Sequence, residues 1–150
     1  MKALLSDLSL DMSDPVISPA ERYERGLALK QAGLHRAAIE QLEMAALEPS
    51  FTLKAYAQMG LCYKLSARYE EAVPAFQKAL NVTTASSKET VQILYLLGRT
   101  LESLGRVAEA LESYRWIRRE DQDYRDVTER IERLSCHRQT VVAQKRLAEE

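Results

Sequence analysis

The residues of this sequence able to carry chemistry are few and scattered. Its histidines are His35 and His137, and its cysteines are Cys62 and Cys136, 74 residues apart. A zinc site gathers three or four ligands from closely spaced pairs. Cys136-His137 could begin one, but no further ligands follow at zinc spacing. Cys62, between Leu61 and Tyr63, reads as an inert core thiol, and His35 as a packing residue where a helix begins. There is no Gly-rich phosphate loop, no nucleophile elbow and no H-E-x-x-H. The carboxylates fall largely on mixed-charge stretches such as "IRREDQDYRD", which read as solvated surface. No catalytic, metal or cofactor-binding residue is assigned, and the expectation is a protein that is not an enzyme.

The elements that would position any site follow a period. In "YAQMGLCYKLSARYEEAVPAFQKAL", residues 56–80, a glycine stands in the middle of a helical pattern, where it costs about 1 kcal/mol against alanine. Gly60 is followed twelve residues later by Ala72 and four after that by Phe76. The same spacing joins Gly26, Ala38 and Leu42, and again Gly98, Ala110 and Tyr114. The glycines are 34 and then 38 residues apart. Such a period signals stacked supersecondary units. Close approach of two antiparallel helices explains the glycine, and Gly60 is expected to meet its partner helix near Ala72. The four extra residues fall in "NVTTASSKET" and imply a longer second helix or a longer loop in the middle copy.

This pattern resembles the tetratricopeptide repeat family. Tyr56, Met59, Gly60, Tyr63, Ala72, Phe76 and Ala79 match the family motif most fully. Leu94, Leu97, Gly98, Leu101, Ala110 and Tyr114 repeat it, with Ile117 in place of the last alanine. Gly26, Leu29, Ala38, Leu42 and Ala45 form the first copy, with Arg22 and Arg25 where large apolar residues belong. The resemblance implies an all-α, right-handed superhelical solenoid of three helical hairpins, at about 19–51, 53–85 and 91–122, plus a C-terminal capping helix over 123–136. Val127, Ile131 and Leu134 share one face of that cap. For 137–150, a C-terminal tail, further helix and a frayed end both stay open. So do a flexible leader and a docked segment for residues 1–17.

Helix signals agree with this frame. Ser86 with Glu89 reads as a capping box, and Ser18, Pro19 and Glu21 as a second start with proline at the first helical position. Ala32-Gly33 and Leu104-Gly105 read as helix stops. The 21 basic and 22 acidic residues in 150 give no basic excess for nucleic acid. No apolar run approaches the roughly 20 residues of a membrane span, and the first residues are too acidic for a signal peptide. A cytoplasmic setting is expected.

In the family, the first helix of each hairpin lines a concave groove. Carried over residue by residue, the resemblance implies a partner-binding row of Tyr23, Leu27 and Lys30; Lys54, Ala57, Leu61 and Lys64; and Gln92, Tyr95, Arg99 and Glu102. The subclass that grips a chaperone's terminal carboxylate needs lysine and asparagine at mid-row, and these residues do not supply them. The floor is apolar and aromatic with a basic edge, which suits a protein or peptide with apolar anchors and acidic character. The functional expectation is a protein–protein interaction adaptor. Two alternatives stand beside it: a secretion-type chaperone holding an export substrate, and a structural protein self-associating through residues 1–17.

Overall fold

The computed structural model describes residues 16–149, which form seven α-helices and no strand. They are α1 (Pro19–Gln31), α2 (His35–Ala45), α3 (Thr52–Leu65), α4 (Tyr69–Leu80), α5 (Ser87–Ser103), α6 (Val107–Glu120) and α7 (Val127–Glu149). Each helix packs on its neighbours in the chain, and α1 also reaches α3. The result is an all-α repeat solenoid of three hairpins, with α7 packed on α6. The expected leader lies almost wholly outside the described residues.

Local chemistry sets the helix ends. The Ser18 hydroxyl accepts from the Glu21 amide at 3.2 Å, one residue before Pro19 opens α1. At α5 the Ser86 hydroxyl takes the Glu89 amide while the Glu89 carboxylate takes the Ser86 amide, a complete capping box. All three hairpin turns share one hydrogen-bonded design. Leu34, Arg68 and Arg106 amides reach back to the carbonyls of Leu29, Tyr63 and Leu101, and the preceding amides bond to Lys30, Lys64 and Glu102. This Schellman arrangement needs a left-handed residue at its centre. Gly33 (φ 79°) and Gly105 (φ 73°) supply it without strain, whereas the middle hairpin places Ala67 there at φ 59°.

The notches are real, but the partner differs from the expected one. A Cβ at Gly60 would lie 2.5 Å from Cε1 of Phe76; at Gly98, 2.6 Å from Cε1 of Tyr114; at Gly26, 2.7 Å from Cγ of Leu42. The glycine therefore faces the large residue sixteen positions on, not the neighbourhood of the alanine. Ala72 is itself fully buried. The ring needs a bare stretch of backbone to lie on, and only glycine offers one.

The insertion is also placed differently. The connections between hairpins, 46–51 and 81–86, are equal in length, and α4 is hardly longer than α2. Instead α5 has 17 residues against 13 for α1 and 14 for α3. The extra turn lies before Gly98, in the first helix of the third hairpin.

The last hairpin is sealed by α7, which buries Val127 and Ile131 while Leu134 packs at the margin. Trp116 packs against the same cluster. The helix continues unbroken to Glu149 instead of ending near 136, and its residues from Cys136 onward are exposed.

Candidate functional site: the cleft between the first helices

The first helices of the three hairpins leave a cleft between them, to which the extra turn of α5 adds Glu89. This half-open cleft of about 160 Å³ is lined by Tyr23 of α1, by residues of α3 between 53 and 61 and by residues of α5 between 89 and 96. Its apolar floor is Tyr23, Leu53, Ala57, Leu61, Ile93 and Leu96, with Lys54, Gln58, Glu89 and Gln92 as polar rim. Tyr23 is fixed by Phe51, whose ring centroid is 5.7 Å away. Burial pushes the Tyr23 hydroxyl above its ordinary pKa, partly offset by a hydrogen bond with Gln58, so it stays neutral and able to donate.

Five of the sequence-derived groove residues meet here: Tyr23, Lys54, Ala57, Leu61 and Gln92. Leu53, Gln58, Glu89, Ile93 and Leu96 also line the cleft and were missed. They stand beside the expected columns, and the added turn of α5, unreadable from spacing alone, brings in Glu89. Leu27 is half-buried on α1 outside the cleft lining.

A basic row follows the C-terminal halves of the same helices. Lys30 donates to Gln58 at 2.6 Å, tying the row to the cleft. Burial, then Arg99 and Arg130, push the Lys64 ammonium below its ordinary value. Burial is the larger cause of that shift, and the neighbouring guanidiniums are themselves paired with Glu102, Arg99 at 3.9 Å, Arg130 at 2.7 Å and Arg133 at 3.8 Å. Arg130 and Arg133 come from α7 and were not expected in the row.

Tyr95 and Glu102 depart from the open-groove expectation. Tyr95 is 5% exposed, and its hydroxyl donates to Asp126 at 2.6 Å. Its ring meets Tyr124 edge-on at 5.7 Å, and the Arg125 guanidinium lies 4.9 Å from its centroid. Glu102 accepts from Arg130 at 2.7 Å. Both side chains hold the cap in place. The Tyr95 hydrogen bond, with help from Arg130, holds the Asp126 carboxyl below the usual range. Tyr114, pressed on Gly98, has its hydroxyl pKa raised by burial above all.

The arrangement offers an apolar floor and a cationic edge, not a nucleophile beside a base. Among the described residues no group of three or more His, Cys, Asp or Glu side chains is placed to hold a metal. His35 opens α2 half-buried, and His137 lies on the exposed part of α7. No helix among the described residues is long and apolar enough to cross a membrane.

Stacked hairpins with a cleft along their first helices define the class, a helical-repeat scaffold. Residues 51–119 match the family model described as tetratricopeptide repeat. Over 66 residues it is 39% identical to small glutamine-rich tetratricopeptide repeat-containing protein 2 of Mycosarcoma maydis, a stretch that is 43% of this chain and 18% of that protein. Among solved structures, MamA is similar at TM-score 0.71 and 20% identity, covering 87% of this chain and 73% of MamA. The Yersinia enterocolitica type III secretion chaperone SycD, solved with a peptide of the translocator YopD, gives TM-score 0.67 at 12% identity over 79% of this chain and 93% of SycD. The second such domain of human RPAP3, solved with an HSP70 peptide, gives 0.59 at 18% over 79% and 98%. At these identities the likeness is one of fold.

Proposed function

We propose that this chain is a non-enzymatic interaction adaptor that holds an extended or helical protein segment across α1, α3 and α5. Apolar side chains of the segment enter the cleft, and acidic ones meet Lys30, Lys64, Arg99 and Arg133. The observation that carries the reading is the unfilled apolar floor of the cleft, with Lys30, Lys64 and Arg99 following it on the C-terminal halves of the same helices. Two neighbours in fold were solved with peptides bound, which supports a peptide as the kind of ligand. The free thiols of Cys62 and Cys136 fit a reducing, cytoplasmic setting.

The test is selection from a random peptide display library against the full chain, with Ala57→Glu as the counter-target. Ala57 faces the cleft, and glutamate is a good helix former, so the substitution blocks the floor while sparing the helix. The reading expects recovered peptides rich in Leu, Met, Asp and Glu that do not bind the variant. Peptides that bind both proteins equally reject the cleft. The secretion-chaperone alternative would use the same surface for an export substrate, and would show as a substrate soluble only when co-expressed with this chain.

A further inference from the structure

We propose that this chain joins copies of itself head to tail, the exposed stripe of α2 in one molecule lying against the exposed stripe of α6 in the next. The contact is separate from the cleft and uses none of its lining residues.

The α6 stripe holds binding groups that its own fold leaves unused. Glu112, Arg115, Trp116, Arg118 and Arg119 line an open hollow of about 530 Å³ on that helix. None of the three arginines has an ion-pair partner among the described residues. Glu120, Asp121 and Asp123 follow in the chain, and they pair with none of the three. Arg115 stands three and four positions before the other two, a spacing at which like charges repel. The helix dipole accounts for Arg118 and Arg119, which lie in the last turn. It does not account for Arg115, nor for half-buried Trp116 among the guanidiniums. Tryptophan beside arginine is the composition of an interface anchor.

The α2 stripe, two hairpins earlier, is its complement. Glu40, Glu43 and, in the turn after the helix, Glu48 are exposed and have no ion-pair partner among the described residues. Met44 is 45% exposed and Leu47 83%. Ala38 and Ala110 hold the same place in their hairpins, 110 − 38 = 72 residues apart. The same step carries Glu43 to Arg115, Met44 to Trp116 and Leu47 to Arg119. One column of the repeat is therefore acidic and apolar at the start of the stack, and basic and aromatic at its end.

The order of the charges fixes the register. Arg36, Glu40 and Glu43 stand at i, i+4 and i+7 on α2, with signs plus, minus, minus. Glu112, Arg115 and Arg119 stand at i, i+3 and i+7 on α6, with signs minus, plus, plus. Each set lies on one face of its helix. With the two helices side by side and running the same way, every charge meets its opposite. Met44, Leu47 and Trp116 supply the apolar surface that such a contact buries. Each helix packs on its neighbours in the chain, and α3, α4 and α5 stand between the two stripes, so the complement is met in a second copy. The two surfaces differ, so each molecule offers one to either side and association continues beyond a pair. One helix pair buries less than the about 1,200 Å² of a firm complex, so the association is weak and shows at high concentration.

The experiment is sedimentation equilibrium of the full chain from about 1 μM to about 1 mM. The average mass should climb past that of a pair as concentration rises, and should fall back as salt is added. A monomer throughout overturns the proposal. Two variants block one side each: Arg115→Glu, Arg119→Glu on α6, and Glu40→Gln, Glu43→Gln, Leu47→Ser on α2. All five positions are exposed, and the helicity of each variant is checked by circular dichroism. Each alone should associate at least about tenfold more weakly. Mixed together they retain one natural α2 stripe and one natural α6 stripe, so they should form a pair and nothing larger. Undiminished association of either variant, a mixture that stays monomeric, or a mixture that grows beyond a pair overturns the proposal. Trp116 is the one tryptophan of the chain, so its emission should shift over the same concentration range. A rising mass with unmoved emission places the contact on another face and also overturns it.

Discussion

Replacing Gly60 by alanine sets two known effects against each other. In an open helix the change gains about 1 kcal/mol, because alanine is the better helix former. Here the new methyl would sit 2.5 Å from Cε1 and 2.7 Å from Cδ1 and Cζ of Phe76. Ordinary contact begins near 3.4 Å, so the ring must retreat by most of an ångström. Phe76 is 0% exposed and has nowhere to go without displacing its neighbours. Overpacking of this kind costs about 1–3 kcal/mol, so the net expectation is a loss of about 1 kcal/mol. That corresponds to a fall of about 2–4 °C in the melting temperature of a chain this size. Urea unfolding followed by helical circular dichroism reads it. At Gly26 the obstacle is the branched end of Leu42, which turns more easily than a ring, so Gly26→Ala is expected to lose less. The double variant Gly60→Ala, Phe76→Leu should be more stable than the sum of its parts by at least about 0.5 kcal/mol. A gain of about 1 kcal/mol for Gly60→Ala alone would show the glycine to be incidental and refute the notch.

Other outcomes follow from single contacts. Ala67→Gly removes the left-handed strain of the middle turn, worth about 1–2 kcal/mol, against a backbone entropy cost of about 0.4–1 kcal/mol. A net gain of several tenths is expected in the same unfolding assay. Tyr95→Phe frees the Asp126 carboxylate from its hydroxyl partner and should cost about 1–2 kcal/mol, read as faster hydrogen exchange in the first turns of α7. Because Asp126 is held below its ordinary pKa, its contribution is present above the usual aspartate range near 3.9. It is lost as pH falls through the depressed value, so cap protection should fade there and Asp126→Asn should flatten the dependence. Cys136 is exposed, whereas Cys62 is buried with its thiol pKa raised chiefly by that burial. One thiol per chain should therefore react at once with a thiol reagent and the second only on unfolding.

What could be read from the sequence was whatever depends on local spacing. The Ser18 and Ser86 caps and the Gly33 and Gly105 stops involve residues within a few positions of each other, and the structure keeps them; the three glycines were legible from their recurrence, but their partners sixteen residues on were not. The middle turn was not legible because Ala67 adopts a conformation its residue type does not advertise. The added turn of α5 was invisible because four residues in a polar stretch carry no mark of the side on which they will be absorbed. The partners of Tyr95 were hidden for a different reason. It lies 31 residues from Asp126, and a motif carried over from a family fixes where a residue stands, not what a later helix will bring to it. The same helix delivers Arg130 and Arg133 to the basic row, which widened the site beyond the eleven residues expected from the motif.

The hollow beside the notched helices is the centre of the functional account, and one titration tests it. A fluorescent library-selected peptide is titrated by anisotropy against the full chain, Ala57→Glu and Lys64→Glu, each first shown to melt cooperatively. The account predicts at least about tenfold weaker binding to both variants, or about 1.4 kcal/mol, and affinity for the unsubstituted chain that falls as salt is raised. Equal affinity for all three proteins, with no response to salt, would contradict it.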